Sequence, residues 1–220
     1  MKLNLSRRDL ILIAAFWLVG CALMVVVLYF AVFQPTTPPP STGGGVPQAT
    51  FTLVAGDQTA RNLQAAAQAQ VTRWQADAQL FTVAATWEQA DLAHLAEPAT
   101  WTYRFYSPAL RRFYFVTVRP DGEATGISHS ERVRTPPPVI NPDAWQVDSP
   151  QALNIWLNRG GAAMLQAIPG IQVVAQLQAS SPNDPLMWAV AGYDKISKNY
   201  HTVFINAQTG EVINIETSLN

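Results

Sequence analysis

Three histidines, His94, His129 and His201, are the side chains of this sequence best suited to proton transfer or metal binding near neutral pH. A hydrolytic zinc site places two histidines at helical spacing with a glutamate between them, and no such HExxH arrangement occurs. The histidines are widely separated, and His201 alternates with the core-facing positions of an apolar strand pattern. We therefore expect a packed or surface histidine at position 201 and predict no metal ligands.

Asp121 and Glu123 place two carboxylates close together, a pattern that could bind a metal or serve acid–base chemistry. Pro120 and Gly122 favour a turn instead, because proline fixes φ and glycine accepts positive φ. Residues 206–210 similarly indicate a hairpin loop. The sequence has no Gly-x-Ser-x-Gly elbow and no phosphate-binding loop. We predict no catalytic residue, no cofactor and a protein that is not an enzyme.

The composition narrows the class of partner. The net charge is −1 and 13% of the residues are charged, which provides no basic stripe for nucleic acid. The single cysteine, Cys21, lies in an apolar N-terminal run. The remainder of the chain therefore has no disulfide, iron–sulfur or thiolate zinc site, and its core alone must hold it together.

The apolar run covers residues 10–33 without a charge or a proline. A helix of this length reaches about 36 Å, which is enough to cross a hydrocarbon core of about 30 Å. Lys2, Arg7 and Arg8 precede the run, and the next basic residue is Arg61. The positive-inside rule then predicts a single-pass protein of the cytoplasmic (plasma) membrane, with residues 1–9 inside and the globular part outside.

Two other interpretations of this segment stay open. The sequence before Cys21 resembles a lipobox, in which the cysteine is lipidated and the preceding residues are removed. Residues 6–10 resemble a twin-arginine export signal. The apolar residues that continue from position 22 to position 33 favour a retained anchor, because a lipid-anchored chain has no reason to expose them.

Residues 34–50 are rich in proline and glycine and indicate a tether. The globular part then shows an internal repeat: Trp101 and Tyr106 recur as Trp188 and Tyr193, at an offset of 87 positions. Each copy opens with a helix pattern and continues with three or four strands. Residues 51–134 form the first predicted unit, residues 135–143 a proline-rich joint and residues 144–220 the second unit. Both faces of the strands at 113–118 and 200–205 are largely apolar, so we expect both faces to be covered.

The second copy resembles a PepSY domain over about residues 148–213. The resemblance depends on the SPQAL helix opening, Pro169-Gly170 before the strand IQVVAQLQ, Trp188 in the next strand, and YHTVFINAQTGEVI after it. Residues 56–128 would be a degenerate tandem copy. The apolar run and the repeat predict an α+β fold class: an N-terminal transmembrane helix, then two repeated helix-plus-antiparallel-sheet (PepSY-like) units. The resemblance implies an extracytoplasmic binding or regulatory module, of a kind proposed to bind or restrain peptidases. The usual Asp of the final turn is Asn206 here, which leaves a charge at that turn in doubt.

Two functions follow from these patterns. The first is a membrane-anchored binding or regulatory module that contacts a protein or peptide outside the membrane. The alternative is a structural accessory subunit of a larger membrane complex. Strand edges offer unpaired backbone groups to an extended peptide. We therefore choose Tyr106 and Tyr193, which close aligned strands before a loop, as candidate partner-binding residues; ordinary hairpin packing is the competing interpretation.

Overall fold

The computed structural model describes Thr52, Leu53, Gly56 and residues 58–218. The predicted membrane segment at residues 10–33 and the tether at residues 34–50 lie outside this part of the chain. None of the helices in the described part is long and apolar enough to cross a membrane.

The described chain is built mainly from one antiparallel sheet of eight strands, in the order β4-β3-β2-β1-β5-β6-β7-β8. The strands are β1 Gln79–Ala90, β2 Trp101–Ser107, β3 Arg112–Val118, β4 Ala124–Ser128, β5 Ile171–Gln178, β6 Met187–Tyr193, β7 Tyr200–Asn206 and β8 Val212–Thr217. The helices are few and short: α1 Gln64–Trp74, α2 Leu92–Ala96, a 3₁₀ turn Pro142–Ala144, α3 Ser149–Trp156 and α4 Ala162–Ala167.

The expected fold class is therefore wrong. A transmembrane helix followed by two helix-plus-sheet units does not describe this structure, in which β1 pairs with β5 along most of its length and joins all strands in one sheet. The residues from Ala49 to Asn220 form one compact unit. Each half supplies four consecutive strands, but their shared sheet and shared core leave no boundary between two units.

The helices all pack on one face of the sheet, which we call the helix face. β5 shows why: Ile171, Val173, Ala175 and Leu177 are buried there, and the residues between them are half-buried on the opposite side. That opposite side, the open face, has no described helix over it. The expectation that both faces are covered is also wrong, because the halves meet edge to edge instead of stacking.

Four tryptophans connect the halves inside the core. Trp87, Trp101, Trp188 and Trp145 form a chain of edge-to-face contacts with ring centroids 6.0, 6.1 and 6.2 Å apart. Trp101 comes from the first half and Trp188 from the second, so residues at the 87-position offset touch each other. Such pairs stabilise by about 0.5–1.5 kcal/mol beyond their buried area. The core is therefore continuous across the join.

The hairpins at the same offset have the same turn. Arg111 donates its N–H to the Ser107 carbonyl at 2.8 Å, and Lys198 donates to the Asp194 carbonyl at 3.0 Å. Arg111 and Lys198 both have positive φ, +53° and +65°. The two halves thus share their local turns as well as their strand order.

The helix that opens the second half bends at Gly160. This residue has φ +118°, and a Cβ there would lie 2.9 Å from Nε2 of His201. The chain then resumes as α4, so the Gly160-Gly161 pair bends the helix instead of ending it. The bend places the imidazole of His201 directly beneath the helix backbone.

Candidate functional site

Tyr106 and Tyr193 lie on inner strands and not at the sheet edges. Tyr106 is 3% exposed, and its ring packs edge-on against Phe113 at a centroid distance of 5.9 Å. Tyr193 is half-buried, faces Tyr200 across the hairpin, and has Nζ of Lys198 5.9 Å from its ring centre. The structure does not bring the two tyrosines together. Tyr106 is a packed residue with no surface to offer a partner.

The polar residues considered for chemistry make structural contacts. His201 is 5% exposed, burial lowers its pKa, and its carbonyl accepts a hydrogen bond from Nε1 of Trp156 at 3.1 Å. Asp121 accepts from the backbone N–H of Glu123 at 2.9 Å, and Glu123 pairs with Arg119 at 2.7 Å. These are the contacts of a packed strand and of a turn.

A cavity of about 60 Å³ lies on the helix face between Trp87, Leu95 and Trp101. Its hydroxyls are engaged with backbone: Thr59 accepts from the N–H of Asn62, and Ser149 accepts from that of Ala60. A volume of this size holds a few water molecules. It is too small for a substrate of ordinary size.

The edge strand β4 has backbone groups with no partner among the described residues. The residues on either side of β4 show which groups face β3. The N–H of Arg119 donates to the carbonyl of Glu123 at 2.9 Å, and the N–H of His129 donates to the carbonyl of Phe113 at 3.0 Å. Hydrogen-bonded and outward-facing residues alternate along an antiparallel pair. The outward-facing residues are therefore Ala124, Gly126 and Ser128. All lie in a strand whose residues are exposed except for the half-buried Ala124.

The opposite edge strand, β8, has one capped outward N–H and a bulge. The bond from Ser218 N–H to the Tyr200 carbonyl sets the alternation there, so Ile215 faces outward. The side chain of Asn214 accepts the Ile215 N–H at 2.9 Å, and the strand is bulged between residues 212 and 214. Side-chain caps and bulges are common means of blocking an edge. Among the described residues, β8 thus has one outward N–H capped and a bulge, whereas β4 has a regular register and no side chain bonded to its outward groups.

Apolar side chains lie beside β4 on the open face. Phe113 and Phe115 are stacked 6.3 Å apart, Phe81 lies 4.9 Å from Phe113, and the guanidinium of Arg104 lies 5.8 Å above Phe115. Ile127 on β4 itself is 67% exposed. A strand added to β4 would bring alternate side chains next to Ile127 and would cover it.

Gly126 at the middle of β4 allows the edge to pack on its own helix. The hydroxyl of Tyr114 crosses over Gly126, where a Cβ would lie 2.3 Å away. The Tyr114 ring stacks on Trp74 at the end of α1, with centroids 4.7 Å apart. Glycine in a strand often marks such a close approach. The consequence is an edge with only small side chains on the helix face.

Charged residues of both signs flank β4. Arg119, Asp121 and Glu123 stand before the strand, and the residues that follow it are His129, Glu131, Arg132 and Arg134. The segment after β4 stays beside the turn between β2 and β3, because Val133 donates its N–H to the carbonyl of Arg111 at 2.7 Å. Neither Arg132 nor Arg134 forms an ion pair with a described residue. Because Arg119 pairs with Glu123 before the strand and Glu131 lies among the basic residues after it, neither end of the edge carries a uniform charge.

None of the residues predicted from the sequence to bind a partner lies on this edge. The signal was present in the ATGIS segment, where Ala124, Gly126 and Ser128 alternate with the larger Thr125 and Ile127. Edge strands are often short, and a glycine within a strand marks a bulge, a bend or a close approach. Its position at the end of the sheet depends on the strand order, which no local pattern shows.

No family model matches the chain, and no curated protein matches it. Among solved structures, a putative lipoprotein from Clostridium difficile 630 is similar, with 13% identity, a TM-score of 0.38, and coverage of 69% of this chain and 90% of that one. A likeness of this size carries no argument about fold or function. The PepSY resemblance remains a prediction.

Proposed function

We propose that this chain is a binding module that holds an extended segment of a protein or peptide at β4, on the outer side of a membrane. The apolar run of residues 10–33 and the basic residues before it support that location. The PepSY resemblance supports a regulatory role, with a peptidase as one kind of partner. The mode of binding is strand addition, in which backbone hydrogen bonds provide affinity and alternate side chains provide selectivity.

The observation that carries the proposal is the difference between the two sheet edges. Every open sheet has two ends, so an edge by itself indicates nothing. Here Asn214 caps one outward N–H of β8 and a bulge interrupts that strand, whereas no described residue caps the outward backbone groups of Ala124, Gly126 and Ser128 on β4. An unprotected edge is a liability for aggregation, and a bound strand would remove that liability.

Each outward residue offers one donor and one acceptor to an incoming strand. A hydrogen bond of this kind contributes about 0.5–1.5 kcal/mol net. The exposed Ile127 adds apolar area that a bound side chain would remove from water. Together these contributions suit a moderate affinity that a specific partner sequence would increase.

The proposal is tested with a fluorescent peptide of alternating threonine and valine and the full chain in lipid nanodiscs. Ser128→Pro removes one outward N–H without breaking the bonds to β3, and proline is tolerated at such edge positions. We expect this variant to bind the peptide about twofold to twelvefold more weakly by fluorescence anisotropy. Ser128→Ala retains the N–H and serves as the matched control, with unchanged binding.

Tryptophan fluorescence of both variants establishes that the core is intact. Equal affinity of Ser128→Pro and wild type for the peptide would show that the peptide binds elsewhere. Absence of any binding by the wild type would remove the proposal altogether.

A further inference from the structure

The turn between β2 and β3 gathers four arginines, which we call the arginine cluster. Arg111 lies in the turn and Arg112 begins β3, and the segment that follows β4 adds Arg132 and Arg134. Two hydrogen bonds hold this segment on the turn. Val133 donates its N–H to the Arg111 carbonyl at 2.7 Å, and Nη2 of Arg111 donates to the Arg134 carbonyl at 3.0 Å. The cluster is therefore built by the fold.

The cluster carries more positive charge than its neighbours neutralise. Its guanidinium groups are exposed, except for the half-buried Arg112. Two carboxylates belong to the same region, Asp77 and Glu131, and Asp77 accepts hydrogen bonds from Ser107 Oγ at 2.8 Å and from the Ala109 N–H at 2.7 Å. None of these six charged groups forms an ion pair with a described residue. Like charges held together repel each other, and an anionic partner would relieve that repulsion.

The equivalent turn in the second half, between β6 and β7, has balanced charges. Its lysines are Lys195 and Lys198, and its carboxylates are Glu88 and Asp194. Lys195 pairs with Glu88 at 2.7 Å, and Nζ of Lys198 donates to the Lys195 carbonyl at 2.8 Å. The two turns have the same local conformation, so the turn itself does not require an excess of positive charge.

The arginine cluster lies at one end of the β4 edge. Pairing with β3 continues past the end of β4, because the N–H of His129 donates to the Phe113 carbonyl at 3.0 Å, and residues 129–133 stay beside the neighbouring turn. A segment added to β4 would therefore bring one of its ends next to the cluster. At the other end of β4, Glu123 already pairs with Arg119.

We infer that the extended segment held at β4 carries aspartate or glutamate side chains at the end beside the arginine cluster; this rests on the function proposed above. A guanidinium group binds a carboxylate through two parallel hydrogen bonds. The backbone groups of β4 favour a peptide over other anions, because a lipid headgroup has no strand to add. Charge complementarity provides selectivity and faster association, and salt weakens it.

The test extends the threonine–valine peptide by two glutamates, at the N-terminus in one peptide and at the C-terminus in another, to cover both strand directions. Matched peptides carry glutamines instead. The full chain is held in phosphatidylcholine nanodiscs, and affinity is measured by fluorescence anisotropy. We expect one glutamate peptide to bind about twofold to thirtyfold more tightly than its glutamine counterpart, the value of two exposed ion pairs. This gain should vanish at about 1 M salt, where charges are screened beyond about 3 Å.

The double variant Arg132→Gln with Arg134→Gln removes half of the cluster and keeps the Arg134 carbonyl that binds Arg111. It should abolish the gain and leave the affinity for the glutamine peptide unchanged. Lys195→Gln with Lys198→Gln, at the equivalent turn, is the matched control and should retain the gain. A gain that survives in the arginine variant, or no gain for either glutamate peptide, would overturn the inference.

Two further samples separate a strand partner from other anions. A peptide with the same glutamates but proline at alternate positions lacks the N–H groups for strand addition, and we expect it to bind several-fold more weakly. Nanodiscs that contain phosphatidylglycerol should leave the gain in place. Equal binding of the proline peptide would assign the cluster to anions in general, and loss of the gain on phosphatidylglycerol would assign it to the membrane surface; either result overturns the inference.

The failure of this inference and the failure of the proposed function give different results. If the glutamate peptides show no gain while the threonine–valine peptide still depends on the Ser128 N–H, strand addition at β4 stands and only the acidic partner is removed. If none of the peptides binds, neither proposal survives.

Discussion

The hydroxyl of Tyr103 tests whether the two halves of the sheet form one cooperative body. It donates to the carbonyl of Ala60 at 2.6 Å, while the N–H of Ala60 donates to Oγ of Ser149 at 3.0 Å. Ala60 thus receives one contact from β2 of the first half and one from α3 of the second. Tyr103 and Ala60 are both fully buried, and burial raises the pKa of the phenol, which keeps it a neutral donor.

Tyr103→Phe removes the hydroxyl and little else, because the ring stays the same size. The Ala60 carbonyl is then left buried without its partner, which destabilises by about 1–3 kcal/mol. We expect a free energy of unfolding lower by that amount, measured by urea denaturation of the full chain with tryptophan fluorescence. Tyr193→Phe is the matched control, since Tyr193 is half-buried and its hydroxyl makes no hydrogen bond to a described residue.

The transition should remain single, because Trp101 and Trp188 report from both halves and touch each other. Equal stability of Tyr103→Phe and wild type would show that the Ala60 contact has no net value. Two separate transitions would contradict a shared core more seriously, since they would mean that the halves unfold independently.

Two further predictions concern the edge and the buried histidine. Gly126→Ala should destabilise by about 1–3 kcal/mol in the same assay, because its Cβ displaces Tyr114 from Trp74; unchanged stability would show that Tyr114 moves freely. Burial lowers the pKa of His201 below its ordinary 6.5. Below pH 6.5, the imidazole of His201 therefore binds a proton in the unfolded chain while it is still neutral in the folded chain. The free energy of unfolding should fall as the pH drops from 6.5 to the pKa of the folded state and then level off, and His201→Gln should remove that part of the decline. An identical pH profile for His201→Gln would assign the decline to other groups.

Local patterns predict the individual strands well. The strand at Ile171–Gln178 follows from apolar residues at every second position, with glutamine at three of the four positions between them, and its bounds agree with the sequence prediction. β1 extends to Ala90, because its bulged end still pairs with Ile171. Bulges of this kind depend on the neighbouring strand and leave no local signal.

The joining of the halves could not be predicted in the same way. Apolar residues on both faces of residues 113–118 suggested a sheet covered on both sides. In the structure Phe113 and Phe115 instead pack on each other and on Phe81 within the open face. A hydropathy pattern does not distinguish apolar side chains that pack on one another at the surface from apolar side chains that are buried in a core. The distinction requires the strand order, which depends on the contact between β1 and β5.

Tyr106 and Tyr193 were chosen as partner-binding residues without knowledge of the strand order. Both were placed near an edge because each closes a strand before a loop, but β2 and β6 each have a strand on both sides. An edge is a property of the assembled sheet. The strand order shows that β4 lies at the end of the sheet. This position is what makes Ala124, Gly126 and Ser128 candidates for strand addition.

Residue-resolved amide hydrogen exchange of the full chain in lipid nanodiscs tests the central claim most directly. At one chain per nanodisc, the amides of Ala124, Gly126 and Ser128 should exchange rapidly, while those of Thr125 and Ile127, bonded to β3, should be protected. Addition of the threonine–valine peptide should slow the three outward amides and leave the other two unchanged. Protection of the outward amides before any strand is added, or rapid exchange that persists while the peptide is bound, would contradict strand addition at β4.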